Sequence, residues 1–350
     1  MSVTGGAFFS LKLGGTKLDA ALLAHVVSIS FVEGLDKLDS LSVQLAIPPV
    51  KRAKVLALCK VGQPFEVQLG YGDSAAMQGY GDIVEVRHGI GADAPWTVTL
   101  RGVDGLHRLG SAQKPRIFSE LSHADIVKKV AGDAGFSADV QGVSTTPEAV
   151  FTQAESAAKF LRRLARENNY FVRVVEKKLS FGRRNQPAGG KVTLEWGKDL
   201  EQIDLTANLQ GLYTTVRVVG HDEKSDKPIE AKATDSDLKK ISGGEVGAAL
   251  YKSAFGEQIH QIPDAPYQST SAATAKAKAE LQEKAEKFLG GTITCRGTPT
   301  AHSGGTVTCK GLPWPFTGPF LITETTHTLE PTSGYRTTIT IASDSLPKAT

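Results

Sequence analysis

Hydrophobic and polar residues alternate with a period of two along the first third of the chain. The alternation is clear over residues 26–31, 41–45 and 65–69, and again over 79–87 after a glycine-rich start. Runs of this kind are typical of strands with one buried face. One interruption, residues 51–60 after a pair of prolines, has the spacing of a short helix. The pattern predicts a compact antiparallel β-barrel with one small helix.

The period changes after residue 110, where two amphipathic helices are predicted. Ser122 is a good N-cap for the first helix, and Asp125 stands three residues later, as in a capping box. The second helix, at about 155–168, buries its apolar stripe and turns its arginines elsewhere. A β-hairpin with a tight turn at Glu176 and Lys177 is predicted to follow.

Period-two runs return after residue 192 and become rich in threonine and glycine near the C-terminus. One long helix is predicted over residues 272–289, because this stretch is rich in Ala, Lys and Glu and is followed by two glycines. The polar stretch 220–270 before it predicts an extended connection with a short helix near Leu250. The threonine-rich strands have two interpretations, an exposed barrel surface or a flat face that pairs with a neighbouring subunit.

These patterns together predict an α+β fold that is mainly β. Two antiparallel β-barrel domains, 1–110 and 192–350, flank a smaller α/β domain, 111–191, which contains the two helices and the hairpin. The length of 350 residues fits two or three domains. No clean sequence repeat relates the two barrels.

Charge is distributed unevenly although the net charge of the chain is only +3. Residues 151–191 contain ten basic and three acidic residues, which leaves the rest of the chain net negative. A solvated surface and a surface complementary to an acidic partner both explain this pattern. Nucleic-acid recognition is disfavoured because few aromatic residues lie beside the basic ones. The candidate interface residues are Arg162, Arg163, Arg166, Arg183, Arg184 and Trp314, the last in a proline-bracketed loop where a core-capping role is the alternative.

Motifs of catalysis or of cofactor binding are missing from the sequence. The one metal-like arrangement, Cys295, His302 and Cys309, lacks a fourth ligand, and both cysteines occupy apolar strand positions, so core packing is the favoured interpretation. Three cysteines do not form a disulfide framework. The N-terminus lacks the pattern of a secretory signal, and no run of 18 apolar residues occurs. We therefore expect synthesis in the cytoplasm, with no metal, no cofactor and no membrane span.

An ordered series of short motifs over about residues 80–345 resembles the late-control D proteins of contractile phage tails and the hub part of VgrG-like type VI secretion spikes. The motifs are L-R-G-V-D at 100–104, H-R-L at 107–109, D-I-V at 125–127, F-L-R-R-L-A at 160–165, L-E-W-G at 194–197, V-R-V-V-G-H-D at 216–222 and G-P-F-L-I-T-E-T-T-H at 318–327. The residues that we take from them as structural family positions are Arg101, Gly102, Asp104, Leu109, Ile126, Phe160, Leu161, Trp196, Gly197, Gly220 and His327.

The resemblance implies a baseplate hub without a chemical activity. In that family the two barrels of one subunit mimic two copies of the tail tube protein, so a homotrimer presents six barrels to a six-fold tube and stays three-fold toward a spike. The chain stops at Thr350 without a β-helix, so a separate spike protein and other baseplate subunits are the expected partners within a virion or injection particle. The alternatives are a tail-tip-associated peptidoglycan hydrolase, which needs paired carboxylates or a metal, and an adaptor of another stoichiometry.

Overall fold

The structure is a computed structural model that describes residues 6–72, 76–91, 94–110, 115–143, 151–184, 190–222, 226–265 and 269–349. Strands outnumber helices among these residues, and most strand pairs are antiparallel. The predicted fold class, α+β and mainly β, agrees with this content. The domain boundaries after residues 110 and 191 stay a prediction.

The N-terminal region follows the period-two pattern of its sequence. In the strand Ser40–Ile47, the apolar residues are buried and Ser42 and Gln44 face outward. The short predicted helix is present, and it starts as a 3₁₀ turn at Pro49–Lys51. The elements are β1 (Ala7–Leu13), β2 (Thr16–Lys17), α1 (Ala20–Leu23), β3 (Val26–Gly34), β4 (Ser40–Ile47), α2 (Arg52–Leu58), β5 (Pro64–Tyr71), β6 (Met77–Gly91) and β7 (Ala94–Val103).

The middle region contains both predicted helices and the hairpin. Its elements are β8 (Arg116–Phe118), α3 (His123–Asp133), β9 (Ser137–Gln141), β10 (Phe151–Gln153), α4 (Ala157–Glu167), β11 (Tyr170–Val175) and β12 (Lys178–Arg183). The Ser122 hydroxyl caps α3 by accepting a hydrogen bond from the Asp125 amide at 3.2 Å, and it donates to the Asp125 carboxylate at 2.6 Å. Glu176 turns the β11–β12 hairpin with a φ of 54°.

The C-terminal region returns to β structure around two helices. Its elements are β13 (Lys191–Glu195), β14 (Leu200–Ala207), β15 (Thr215–Asp222), β16 (Lys227–Thr234), β17 (Gly243–Val246), α5 (Gly247–Phe255), β18 (Ile259–Ala265), α6 (Thr270–Ala285), β19 (Leu289–Arg296), β20 (Thr306–Lys310), β21 (Phe320–Glu330), β22 (Gly334–Ser343) and β23 (Ser345–Pro347).

The long helix predicted over 272–289 is wrong at its C-terminal end. The helix α6 ends at Ala285, and β19 already begins at Leu289. Gly290 and Gly291 therefore lie inside a strand. A Cβ atom on Gly291 would collide with the backbone carbonyl of Asp204 on the neighbouring strand β14. The glycine thus allows close approach of two strands rather than ending a helix.

The extended connection predicted over 220–270 is also wrong, although its short helix near Leu250 is confirmed by α5. Strand β15 pairs antiparallel with β16 and parallel with β18, and α6 packs against this small sheet. The buried face of β16 carries Ile229, Ala231 and Ala233 between exposed polar residues. Because two of these three side chains are only methyl groups, the alternation is weak in the sequence.

One large sheet joins the two ends of the chain. Its strand order is β14-β19-β22-β21-β3-β4-β7-β6-β5-β1-β2, with β13 and β20 attached beside β21. The connection between the terminal regions is the antiparallel pairing of β21 with β3, from Glu324 opposite Gly34 to Leu329 opposite Ile29. One sheet therefore contains strands from both terminal regions of the chain.

Four clusters of buried apolar residues lie along the chain in sequence order. The first fills the N-terminal region and includes Tyr335 from β22, and the second holds α3 and α4 against the hairpin. The third lies under the C-terminal strands of the large sheet, and the fourth lies between α6 and the small sheet. The middle region and α6 meet beside the β3–β4 turn, and this junction contains the site described next.

Candidate functional site

A cleft of about 700 Å³ lies where three parts of the chain meet. One wall is α4 with Arg162, Arg163 and Arg166, the second is the end of α6, and the third is the turn after β3. We call it the basic cleft and define it by its cationic lining residues, which are Lys159, Arg162, Arg163, Arg166, Arg184 and Lys287. The structure thus brings together four of the six predicted interface residues.

Helix α4 presents its arginines to the cleft because its other face is anchored in the middle core. The Ser156 hydroxyl accepts a hydrogen bond from the Lys159 amide at 3.4 Å and caps the helix. Phe160, Leu161 and Leu164 recur at helical spacing and are fully buried. The residues between them therefore point toward the cleft.

Two of the predicted interface arginines have partners within the chain. Arg184 is buried, and its Nη2 lies 2.8 Å from the carboxylate of Asp36 while its Nε lies 3.4 Å from that of Glu286. Arg163 lies 2.8 Å from Glu155 and 3.3 Å from Glu167. The Arg184 contacts join two walls of the cleft, the turn after β3 and the end of α6, whereas the Arg163 contacts stay within α4 and the residues just before it.

The other two predicted interface residues lie outside the cleft lining. Arg183 is exposed at the end of β12. Trp314 is half-exposed, and its indole nitrogen donates a hydrogen bond to the carbonyl of Pro347 at 3.0 Å. That bond fixes the Trp314 ring against β23 and leaves one face of it in solvent.

A buried ionic cluster holds the middle region to the large sheet. Arg173 on β11 forms an ion pair with Glu33 on β3, and its Nε lies 2.8 Å from the carboxylate of Asp39. The Asp39 amide donates to Asp104 at 2.9 Å, and Asp104 also accepts from the Leu106 amide at 2.7 Å. Of these residues, only Asp104 was singled out from the sequence. The missed signal is Glu33, which occupies an inward position of β3 in phase with apolar neighbours.

The three carboxyl groups of this cluster face one guanidinium, yet their pKa values shift in different directions. Burial raises the pKa of Glu33, but Arg173 and then His302 outweigh it, and the pKa falls to about 2. Burial, only partly offset by Arg173, raises the pKa of Asp39 to about 8. Burial also raises the pKa of Asp104. Among the three carboxyl groups, Glu33 is therefore the one that the surrounding cations hold ionised, whereas burial favours the neutral form of Asp39 and Asp104.

His327 of the family motif lies fully buried beside this cluster. Its Nε2 lies 3.1 Å from the carbonyl of Ala301, so that nitrogen carries the proton and donates. Its Nδ1 then accepts from the Tyr335 hydroxyl at 2.9 Å. Burial lowers the pKa of His327 to about 4, so the neutral ring is the form that fits these contacts.

The metal-like trio does not come together as ligands. His302 Nδ1 donates to Glu33 at 2.9 Å. Cys295 and Cys309 are free and buried among apolar side chains, where burial raises the pKa of Cys309 to about 11. Among the residues that the structure describes, no group of three or more His, Cys, Asp or Glu side chains has the geometry to hold a metal ion.

The remaining family-motif residues are mostly packed. Leu109, Ile126, Phe160 and Leu161 belong to the middle core. Gly102 lies against the Phe65 ring, and the Arg101 guanidinium lies 3.4 Å from the Glu85 carboxylate. Trp196 is half-exposed and is followed by Gly197, which has a positive φ of 76°. Gly220 lies in β15. Within the described parts of the chain, no helix combines the length and hydrophobicity that crossing a bilayer requires.

Solved structures with the same fold come from phage tails and from secretion systems. The 43 kDa tail protein of prophage MuSo2 from Shewanella oneidensis is 16% identical with a TM-score of 0.68, and the match covers 97% of this chain and 100% of that one. A tail protein from Neisseria meningitidis MC58 is 16% identical with a TM-score of 0.70, and 97% of each chain is covered. The E. coli c3393 protein, a component of the type VI secretion system, is 13% identical with a TM-score of 0.57 over 95% of this chain and 76% of that one. At these identities the similarity establishes a common fold.

The curated proteins contain no match to this chain. A family model described as the Alg8 N-terminal domain matches residues 11–331. Because this match spans most of the chain, the protein belongs to the Alg8 N-terminal domain family.

Proposed function

We propose that the protein is a structural baseplate hub of a contractile tail, of the late-control D type, which joins the tail tube to a spike. The observation that carries the proposal is the β3–β21 pairing, which fuses the N-terminal and C-terminal strands into one sheet. A tail fold covering 97% of the chain, without a large region left over, supports it. The tail-tube protein, a spike protein and other baseplate subunits are the proposed partners.

The symmetry argument follows from this fusion. We assign residues 1–110 and 192–350 to two tail-tube-like barrel domains, with 111–191 between them. If each barrel domain takes the place of one tube subunit, three copies of the chain fill a six-fold ring while the assembly stays three-fold on its other face. Strand β14 ends the large sheet, and within the described residues its outer edge pairs with no strand over 202–207. An uncovered edge of this kind is suited to pairing with a neighbouring copy.

A role in binding rather than in catalysis accords with the titratable groups. Asp39 and Asp104 have the raised pKa that a general acid needs, but both are buried and held by backbone amides. A peptidoglycan hydrolase requires such groups to face a cleft. We therefore assign the protein no chemical step and place it, after synthesis in the cytoplasm, in a virion or injection particle.

Light scattering on the purified protein, with negative-stain images of the same peak, tests this function. Three chains of 37.2 kDa give a mass of about 112 kDa, and we expect a three-fold ring with a central hole, either alone or with tube and spike proteins added. A chain that stays monomeric with both partners present would refute the hub. Release of soluble fragments from peptidoglycan would favour the hydrolase.

A further inference from the structure

The basic cleft contains more positive charge than the chain itself neutralises. The cationic groups of Arg163 and Arg184 face carboxylates at its walls. Lys159, Arg166 and Lys287 also line the cleft, yet within the described residues none of the three forms an ion pair. In the part of the chain that the structure describes, three cations around a cavity of about 700 Å³ therefore form no ion pair, against one lining carboxylate, Glu283, that also forms none.

Arg162 adds a donor that is both buried and unused. Its Nη2 is excluded from solvent and has no hydrogen-bond partner among the residues that the structure describes. Leaving a buried donor without an acceptor is unfavourable, and more so when the donor is charged. Arg162 lines the cleft, so a carboxylate that enters it lies beside a guanidinium whose planar fork matches two oxygens.

We propose that the basic cleft binds an acidic segment of another protein and takes its Asp or Glu carboxylates between Arg162, Arg166 and Lys159. The volume lies within the range of about 300–1,000 Å³ that is usual for ligand pockets. It accommodates a few side chains rather than a broad protein surface. The cleft can bind such a segment whether or not the protein is a baseplate hub.

A nucleic-acid strand fits this cleft less well. Asp36, Glu155 and Glu283 line it together with the cations and would repel a continuous run of phosphates. Tyr170, an aromatic residue of the lining, packs edge-on against Phe181 with ring centroids 5.7 Å apart. Single carboxylates spaced along a peptide can avoid the acidic positions and still meet the unpaired cations.

Fluorescence anisotropy with a labelled short peptide of alternating glutamate and glycine tests the proposal on the full-length chain. We expect the double variant Arg162→Gln/Arg166→Gln to weaken binding roughly tenfold or more, because it removes two guanidinium–carboxylate contacts. The matched control Arg183→Gln/Lys178→Gln removes the same charge from the exposed hairpin of the same region, and we expect it to change binding less than about twofold.

A second double variant, Lys159→Gln/Lys287→Gln, leaves both arginines in place and should also weaken peptide binding. The melting temperature of every variant is recorded, so that a loss of binding can be separated from a loss of folding. Equal losses in the control and the cleft variants, or no binding of the peptide by the unmodified chain, would overturn the proposal. A thymidine oligonucleotide that displaces the labelled peptide at a lower concentration than unlabelled peptide does, and whose binding the same variants weaken, would overturn the proposal in favour of nucleic acid.

Discussion

Replacing Arg173 by methionine should destabilise the protein through the carboxylate that it leaves behind. Arg173 reaches from the β11–β12 hairpin to Glu33 in the large sheet, and its side chain is 17% exposed. Methionine keeps much of the apolar stem but removes the charge. Glu33, which is fully buried, then keeps only His302 and Thr325 as side-chain partners among the described residues.

The expected magnitude follows from which groups are ionised. Removing one partner of a buried ion pair costs about 3–5 kcal/mol. Burial raises the pKa of Asp39 to about 8 and so favours its neutral form, whereas the cations hold Glu33 ionised. The loss should therefore come mostly from Glu33 and amount to about 3 kcal/mol. With an unfolding entropy of about 2.1 cal/mol/K per residue, the 350-residue chain should melt about 4 °C lower if it unfolds as a unit.

Calorimetry at neutral pH measures this shift, and Arg183→Met is the matched control. Arg183 lies on the same hairpin but is exposed, so its replacement should change the unfolding free energy by less than about 0.5 kcal/mol. Adding Glu33→Gln to Arg173→Met should restore part of the loss, because the buried charge disappears. The reasoning is refuted if the Arg173 and Arg183 variants melt at the same temperature.

Three further predictions concern the β14–β19 strand pair, the Ser122 cap of α3 and the buried carboxyl group of Asp39. Gly291→Ala should lower the unfolding free energy by about 1–3 kcal/mol, because the new Cβ atom would collide with the Asp204 carbonyl. The control Gly290→Ala should cost far less, because the atom nearest to its Cβ would be 3.8 Å away. Similar urea midpoints for the two variants would contradict the strand pairing. Ser122→Ala should cost about 1 kcal/mol in the same assay through loss of the α3 cap, and an unchanged midpoint would argue against it. Burial raises the pKa of Asp39 from 3.8 to about 8, so its contribution to stability is complete below 3.8 and is lost as pH rises through 8. Asp39→Asn should therefore flatten the fall in stability between those values, and a slope unchanged from that of the exposed-site control Asp204→Asn would disprove this assignment.

Features set by neighbouring residues were predictable from the sequence. The cap at Ser122 and the turn at Glu176 depend on side chains within a few positions, and the structure confirms both. The end of α6 was not predictable in the same way. Two glycines after a helical run resemble a stop signal, and only the approach of β14 to β19 reveals why Gly291 lacks a side chain.

The candidate site was predictable in charge but not in detail. The excess of basic over acidic residues in 151–191 located the basic segment. The amphipathic pattern of α4 indicated which of its arginines lie outside the core. Sequence alone did not show that Arg184 pairs with Asp36, because this pairing arises only when distant elements pack, whereas Arg163 pairs locally with Glu155, just before α4. The Glu33–Arg173 pair is hidden for the same reason, although a glutamate in phase with buried residues of β3 is a visible signal.

The polar character of the junction between the middle region and the large sheet has a physical consequence. Apolar cores tolerate rearranged packing, whereas a buried ion pair is satisfied only in one geometry. Arg173 reaches Glu33 and Asp39 at once, and Glu33 in turn accepts from His302 of the C-terminal region. A rotation between these regions would separate the charges inside a low-dielectric interior. The cluster therefore opposes a change in the relative orientation of the middle region and the large sheet.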